Sequence, residues 1–231
     1  STLSSSSAAS DVYKRQPHKE AVIPFLDELS PAAEAIGAVN VIVNEAGRLR
    51  GHNTDWEGFL KALDSRGVGL CGRKAVVVGA GGAAAAVVYA LVSSGAEVAV
   101  VNRTPSRARA LARRFSSLGS VTHGGLHDLA AFLREAELLV NATPVGMTPH
   151  AEESPVPADL LREGLVVYDL VYNPPETKLL RDAGERGCLA IGGLEMLVYQ
   201  GIRALELWTG HRFGDEDAAS ALKHLEGVLR G

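Results

Sequence analysis

Residues 74–104 read KAVVVGAGGAAAAVVYALVSSGAEVAVVNRT. Residues 75–78 are a continuous apolar, largely β-branched run, too short for a helix and bounded by Lys74 and Gly79. That pattern suits a parallel strand buried on both faces. A glycine turn, Gly79-Ala80-Gly81-Gly82, leads into an alanine-rich helix over 83–94, closed by Gly95 as a natural C′ residue. Residues 98–101 make a second apolar run, so the unit is β-α-β. The spacing Gly79-x-Gly81-x-x-Ala84 is the Gly/Ala-ended form of the dinucleotide fingerprint. Backbone N–H groups from Gly79, Ala80, Gly81, Gly82 and Ala83 would then cradle a pyrophosphate at the positive end of the helix. The same tight turn occurs without a ligand in other α/β folds; the strand before it and the helix after it favour the nucleotide.

The residues after the second run sharpen the choice of nucleotide. An NAD site places an acid about twenty residues past the glycines to bind the ribose diol. Here the run ends in Asn102-Arg103-Thr104, and Glu97 precedes it at the wrong end. A guanidinium at Arg103, with Arg107 one turn into the next helix, suits a 2′-phosphate and favours NADP. Arg107 also fits a solvated helix face.

Composition sets outer limits. A chain of 231 residues holds one large domain or two small ones, and 46% hydrophobic residues is ordinary for a protein with a real core. A net charge of -4 gives no nucleic-acid or polybasic membrane signal. No apolar run approaches the roughly eighteen residues of a membrane span. Cys71 and Cys188 are isolated, which argues against a disulfide framework or zinc site and makes a reducing cytoplasm the default. The histidines lack metal-ligand spacing, so no metal is expected.

Along the chain, residues 1–16 are Ser-rich, aperiodic and without the apolar core of a secretory signal; they read as a disordered or non-native leader. Pro17-His18-Lys19 opens a helix, with Val22, Ile23, Leu26 and Leu29 at helical spacing. Ser30-Pro31 starts a second helical turn. Residues 38–43 read as a strand interrupted by Asn40, followed by a turn at Glu45-Ala46-Gly47. Gly51-His52-Asn53-Thr54-Asp55 precedes an amphipathic helix bearing Trp56, Phe59, Leu60 and Leu63 on one face. Asp55 at that helix start reads equally as a simple cap, and Lys19 as a solvated surface lysine.

In the second half, Thr104-Pro105 caps a basic helix through 115, and 127–135 make another helix. Residues 138–142 form a strand ending at Asn141-Ala142-Thr143-Pro144, at the carboxyl edge where open α/β sheets bind ligands. An exposed loop spans 149–157. Residues 165–169 form a strand and lead to Tyr172, a packing or contact residue. After a helix over 177–186 and a strand over 188–191, Gly192-Gly193-Leu194-Glu195-Met196 enters a helix through 208, with Gln200 one turn on. By its residue type Met196 reads as packing. A last helix covers 215–230.

The segments PHKE, AIGAVN, GHNTDWEGF, GAGGAA, VNRT, NATPVGM, DLVYNP and GGLEMLVYQG occur in this order from Pro17 onward. Together they resemble shikimate dehydrogenase, the aroE-type family that reduces 3-dehydroshikimate with NADPH. The resemblance implies a Rossmann-type doubly wound parallel sheet (73–193) that binds NADP. It also implies a smaller α/β substrate-binding domain (17–72), N-terminally incomplete, completed by C-terminal helices (194–231) that pack back on it. It makes Lys19 and Asp55 the catalytic pair and puts Asn40 and Gln200 on the substrate, with Tyr172 as the further candidate substrate contact. Asn102, Arg103, Thr104 and Arg107 would hold the 2′-phosphate, and Thr143, Gly193 and Met196 would lie near the cofactor. The family begins with a further stretch carrying a Ser-x-Ser pair that grips the substrate carboxylate. Residues 1–16 do not match it, and Arg15 stands where a threonine is usual.

Those residue types suit the chemistry. Hydride addition to a ketone leaves an alkoxide that needs a proton donor within reach, and a lysine steered by a carboxylate supplies one. The expected protein is a cytoplasmic enzyme of aromatic amino acid and chorismate biosynthesis, monomer or homodimer, with a small-molecule substrate and no nucleic-acid or membrane partner. Two other readings stand beside it: a quinate/shikimate enzyme using NAD, which the missing acid disfavours, and a catalytically silent NADP-binding fragment.

Overall fold

A computed structural model describes residues 16–230. The expected leader, apart from Gln16, lies outside the described residues, as does Arg15. The first part of the chain runs α1 (Gln16–Ala21), a 3₁₀ turn (Ile23–Phe25), β1 (Glu28–Leu29), α2 (Pro31–Ile36), β2 (Val41–Glu45), β3 (Arg48–His52) and α3 (Asp55–Ser65). Then come β4 (Lys74–Val78), α4 (Gly82–Ser93), β5 (Glu97–Val101), α5 (Pro105–Phe115), β6 (Val121–Gly124), α6 (Leu129–Leu133), β7 (Leu138–Asn141) and β8 (Val166–Asp169). The chain closes with α7 (Lys178–Glu185), β9 (Leu189–Ile191), α8 (Leu194–Thr209) and α9 (Asp215–Arg230).

The apolar runs assemble into a parallel sheet in the order β6-β5-β4-β7-β8-β9, doubly wound with helices on both faces. Alternation along β4 shows why a continuous run was needed. Ala75 and Val77 join the core under α4 and α3, while Val76 and Val78 join the opposite core with Leu129, Leu133 and Leu179. In α4 the residues Ala84, Ala85, Ala86, Val87 and Val88 are buried, and their small size lets the helix lie close to the strands.

The second sheet has the order β1-β3-β2, with β1 parallel and β2 antiparallel to β3. The β2–β3 hairpin turns at Ala46 and Gly47, both at positive φ, and Asn44 Oδ1 accepts a hydrogen bond from Gly47 N at 2.8 Å. α8 packs along α3 and touches β2, and α9 packs on α8. At the crossing, a Cβ on Gly58 would stand 2.7 Å from Gln200 N and 2.8 Å from Met196 O. Only glycine lets the two helices meet at this distance.

Several local expectations change. The helix expected from Pro17 to Leu29 ends at Ala21, because Pro24 has no N–H to continue the ladder. Leu29 instead pairs with Gly51 in a parallel bridge. Asn40 falls one residue before β2 rather than inside a strand. The helix expected over 127–135 is a 3₁₀ turn (Leu126–Asp128) followed by the short α6. β6 was not anticipated: it is an edge strand of sequence VTHG, with the polar residues an edge tolerates and no apolar run to reveal it. Among the described residues no helix is long and apolar enough to cross a membrane, and no cluster of His, Cys, Asp or Glu is placed to hold a metal.

Candidate active site

The geometry is richest where α1, the entry to β2, the start of α3 and the middle of α8 converge. Lys19 is 6% and Asp55 4% exposed, and Lys19 Nζ donates to Asp55 Oδ2 at 2.8 Å. Neither a solvated lysine nor a simple cap describes this pair: the lysine is buried, and the two carboxylate oxygens are taken by side chains, Oδ2 by Lys19 and Oδ1 by Asn40 Nδ2 at 2.9 Å. The helix cap position belongs to Thr54. As the first residue of α3, Asp55 still gains from the helix dipole. Backbone bonds hold the pair in place, with Val39 N donating to Lys19 O at 2.9 Å and Asp55 N to Asn53 Oδ1 at 3.0 Å.

Asn40 organises the remainder. Its Oδ1 accepts from Thr54 N at 2.9 Å, and its Nδ2 faces Asp55 Oδ1 at 2.9 Å, Thr54 Oγ1 at 3.0 Å and Gln200 Oε1 at 3.4 Å. An amide nitrogen has only two hydrogens, so the contact to Gln200 is the weakest and the easiest to give up. Thr54 Oγ1 donates to Gln200 O at 3.0 Å, fastening α8 to this corner. Thr54 and Asn53, both buried, were missed as members of the cluster. Their place between Asn40's partner strand and the helix start was the available signal. Nearby, burial and then the Arg50 guanidinium hold the His52 imidazole below its ordinary range.

The glycine turn lies at the carboxyl end of β4. Gly79 has φ +122°, donates its N–H to Val101 O at 2.8 Å, and has no room for a side chain: a Cβ would stand 2.8 Å from Ala142 O and 3.3 Å from Thr143 Cγ2. Gly81 is the N-cap of α4 with no side-chain cap, the first turn of α4 carries no acid, and a Cβ on Gly82 would meet nothing within 4 Å. Open space over uncapped N–H groups is what a pyrophosphate requires. Beyond β5, Asn102 Nδ2 donates to Thr104 O at 3.0 Å, while Arg103 and Arg107 are exposed and, among the described residues, pair with no carboxylate. That donor set fits an additional phosphate.

The other expected residues are also placed. Thr143 follows β7 and donates Oγ1 to Asn141 Oδ1 at 2.7 Å. Tyr172, half-buried, follows β8. Gly193 caps α8, and Met196 is a buried member of the main core, as its residue type suggested. α1, which carries Lys19, packs against α4, the helix that starts at the glycine turn.

Fold and site together define a class: an α/β protein with a dinucleotide-type glycine turn and a separate, buried lysine–aspartate pair. Family models described as shikimate dehydrogenase substrate binding domain, shikimate / quinate 5-dehydrogenase and shikimate 5'-dehydrogenase C-terminal domain match residues 15–42, 62–159 and 193–217. The chain is 49% identical over 199 residues to the shikimate dehydrogenase (NADP(+)) of Moorella thermoacetica, covering 84% of this chain and 68% of that protein. A solved shikimate 5-dehydrogenase of Thermus thermophilus, in complex with NADP(H) and shikimate, is 45% identical with TM-score 0.81, covering 90% of this chain and 76% of that one. A quinate dehydrogenase of Corynebacterium glutamicum in complex with NAD is 35% identical with TM-score 0.83, covering 90% of this chain and 75% of that one. The chain belongs to the shikimate dehydrogenase family.

Proposed function

We propose that this chain catalyses the reversible, NADP-dependent reduction of 3-dehydroshikimate to shikimate, with Lys19 and Asp55 as the acid–base pair. The observation that carries the reading is the buried Lys19–Asp55 pair, bonded to Asn40 and backed by the Gln200 turn of α8. A nicotinamide cofactor, when bound, supplies or accepts the hydride. The residues of the chain do the rest. The ammonium of Lys19 donates a proton to the alkoxide oxygen as it forms and stabilises its charge beforehand; in the reverse direction neutral Lys19 takes the hydroxyl proton. Asp55 orients Lys19 and accepts from a neighbouring hydroxyl. Asn40 and Gln200, whose mutual contact is the longest in the cluster, turn their amides to substrate hydroxyls, and Tyr172 lies on the β8 side.

Gly79, Ala80, Gly81, Gly82 and Ala83 would hold the pyrophosphate; Asn102, Arg103, Thr104 and Arg107 the 2′-phosphate; and Thr143, Gly193 and Met196 the walls near the nicotinamide. We assign 73–193 to the nucleotide lobe and 17–72 with 194–231 to the substrate lobe; the two sheets and the packing of α8 on α3 support this division. The reading extends to a cytoplasmic monomer or homodimer, in keeping with the free Cys71 and Cys188. The test is NADPH formation from shikimate and NADP, with quinate and NAD as parallel arms. Faster turnover of quinate with NAD would favour the quinate reading, and NADP binding without turnover would make the chain a silent binder.

A further inference from the structure

Asp169 closes β8, and Asn141, its register partner, closes β7. Both are completely buried, as is Thr177. Asp169 Oδ1 accepts from Asn141 Nδ2 at 2.9 Å and from Val171 N at 3.0 Å, and Oδ2 accepts from Thr177 Oγ1 at 2.7 Å. Among the described residues no lysine, arginine or histidine pairs with this carboxylate. Burial raises it to about 6. A buried acid without a counter-charge is costly, and packing alone would be served by an apolar strand end.

Its bonds lead in two directions. Toward the glycine turn, Asn141 Oδ1 accepts from Thr143 N at 3.0 Å and Thr143 Oγ1 at 2.7 Å, while Asn141 Nδ2 donates to Val145 O at 3.2 Å. The loop 142–146 is thus wound on Asn141, and its Ala142 O lies against Gly79. Toward the lysine–aspartate pair, Val171 O accepts from Gly193 N at 3.3 Å, and Gly193 caps α8. That helix carries Gln200, whose carbonyl receives Thr54 Oγ1 and whose side chain faces Asn40. One carboxylate stands where these two chains of bonds meet.

We infer that Asp169 is a positioning residue that fixes the loops 142–147 and 170–174 relative to each other, and through them aligns the glycine turn with the Lys19–Asp55 cluster. The significance of the alignment rests on the functional reading above; the coupling of the loops does not. Coupling of this kind is read by measuring both loops at once.

The experiment is hydrogen exchange of the ligand-free full chain, compared among wild type, Asp169→Ala, Asp169→Asn and Asn141→Ala. Asp169→Ala removes the acceptor of three bonds, from Asn141, Val171 and Thr177, and is expected to raise exchange in both loops by about tenfold or more. Asp169→Asn keeps acceptors for Asn141 and Val171, and Thr177 can reverse its hydroxyl to accept, so both loops should return to within about threefold of wild type. Loosening confined to 170–174, or to neither loop, overturns the inference. Should Asp169→Ala not fold, Asn141→Ala decides: loosening of both loops supports the coupling, and loosening of 142–147 alone overturns it. With NADP and shikimate, Asp169→Ala should lower kcat by about tenfold or more with rescue by Asn, as expected of misaligned reactants. If wild type shows no turnover, the functional reading fails, and the exchange result still decides the coupling.

Discussion

Lys19 and Asp55 are separated by 36 positions and meet at 2.8 Å, both shut away from water. The relationship joins a helix at the start of the described chain to the first residue of another, and it has an energetic consequence. Removing one member of a buried pair leaves a charge without compensation. Asp55→Ala should cost about 3–5 kcal/mol, and Asp55→Asn, which keeps an acceptor for Lys19 or Asn40, distinctly less. Urea unfolding measures this; an unchanged midpoint in the alanine variant would show that the pair is not held together in solution.

Gly58→Ala tests the α3–α8 crossing. The new methyl would lie 2.7 Å from backbone Gln200 N, which cannot yield as a side-chain tip can. Overpacking should cost about 1–3 kcal/mol and, by pushing the Gln200 turn away from Asn40, raise KM for shikimate while leaving NADP affinity unchanged. Equal weakening of both ligands would point to a global defect instead.

Arg103 and Arg107 are exposed and free of carboxylate partners among the described residues, so their replacement should disturb little else. The double change Arg103→Ala with Arg107→Ala should weaken NADP binding by roughly ten- to a hundredfold through lost charge-assisted hydrogen bonds. NAD affinity should stay constant in calorimetry. Parallel losses for both nucleotides would mean the guanidinium groups do not read the 2′-phosphate.

Asp169 makes stability depend on pH in an unusual sense. Its carboxyl is raised from 3.8 to about 6 by burial, so between those values the folded chain binds more protons than the unfolded one. Stability from this group is therefore present below about pH 4 and declines as pH rises through about 6, by on the order of 3 kcal/mol. Asp169→Asn removes the titration. The stability of wild type relative to this variant should fall from pH 4 to pH 7 in denaturant titrations; a relative gain would reverse the sign and refute the assignment.

The nucleotide half was legible because its strands are buried on both faces: 75–78, 98–101, 138–142 and 165–169 announce themselves as apolar runs, and the glycine turn sits at the end of the first. β6 was hidden because an edge strand keeps its polar residues. Residues 17–29 misled because Val22, Ile23, Leu26 and Leu29 mimic a helical period, while Pro24 and pairing with β3 decide the conformation. The Lys19–Asp55 pair came from family likeness; no local spacing predicts a contact across 36 residues. The Asp169–Asn141–Thr177 network escaped for the same reason, since each member reads singly as an ordinary polar residue at the end of a strand or the start of a helix. Only strand register brings Asn141 and Asp169 side by side.

The decisive measurement is NADPH formation from shikimate and NADP by wild type and Lys19→Ala, with NADP binding followed by calorimetry on both. Wild type should turn over. Lys19→Ala should bind NADP with near-normal affinity and lose turnover by about a hundredfold or more, the usual range for a lost general acid–base group. Normal turnover by Lys19→Ala, or NADP binding by wild type with no turnover at all, would contradict the assignment of Lys19 and Asp55 as the working pair of this chain.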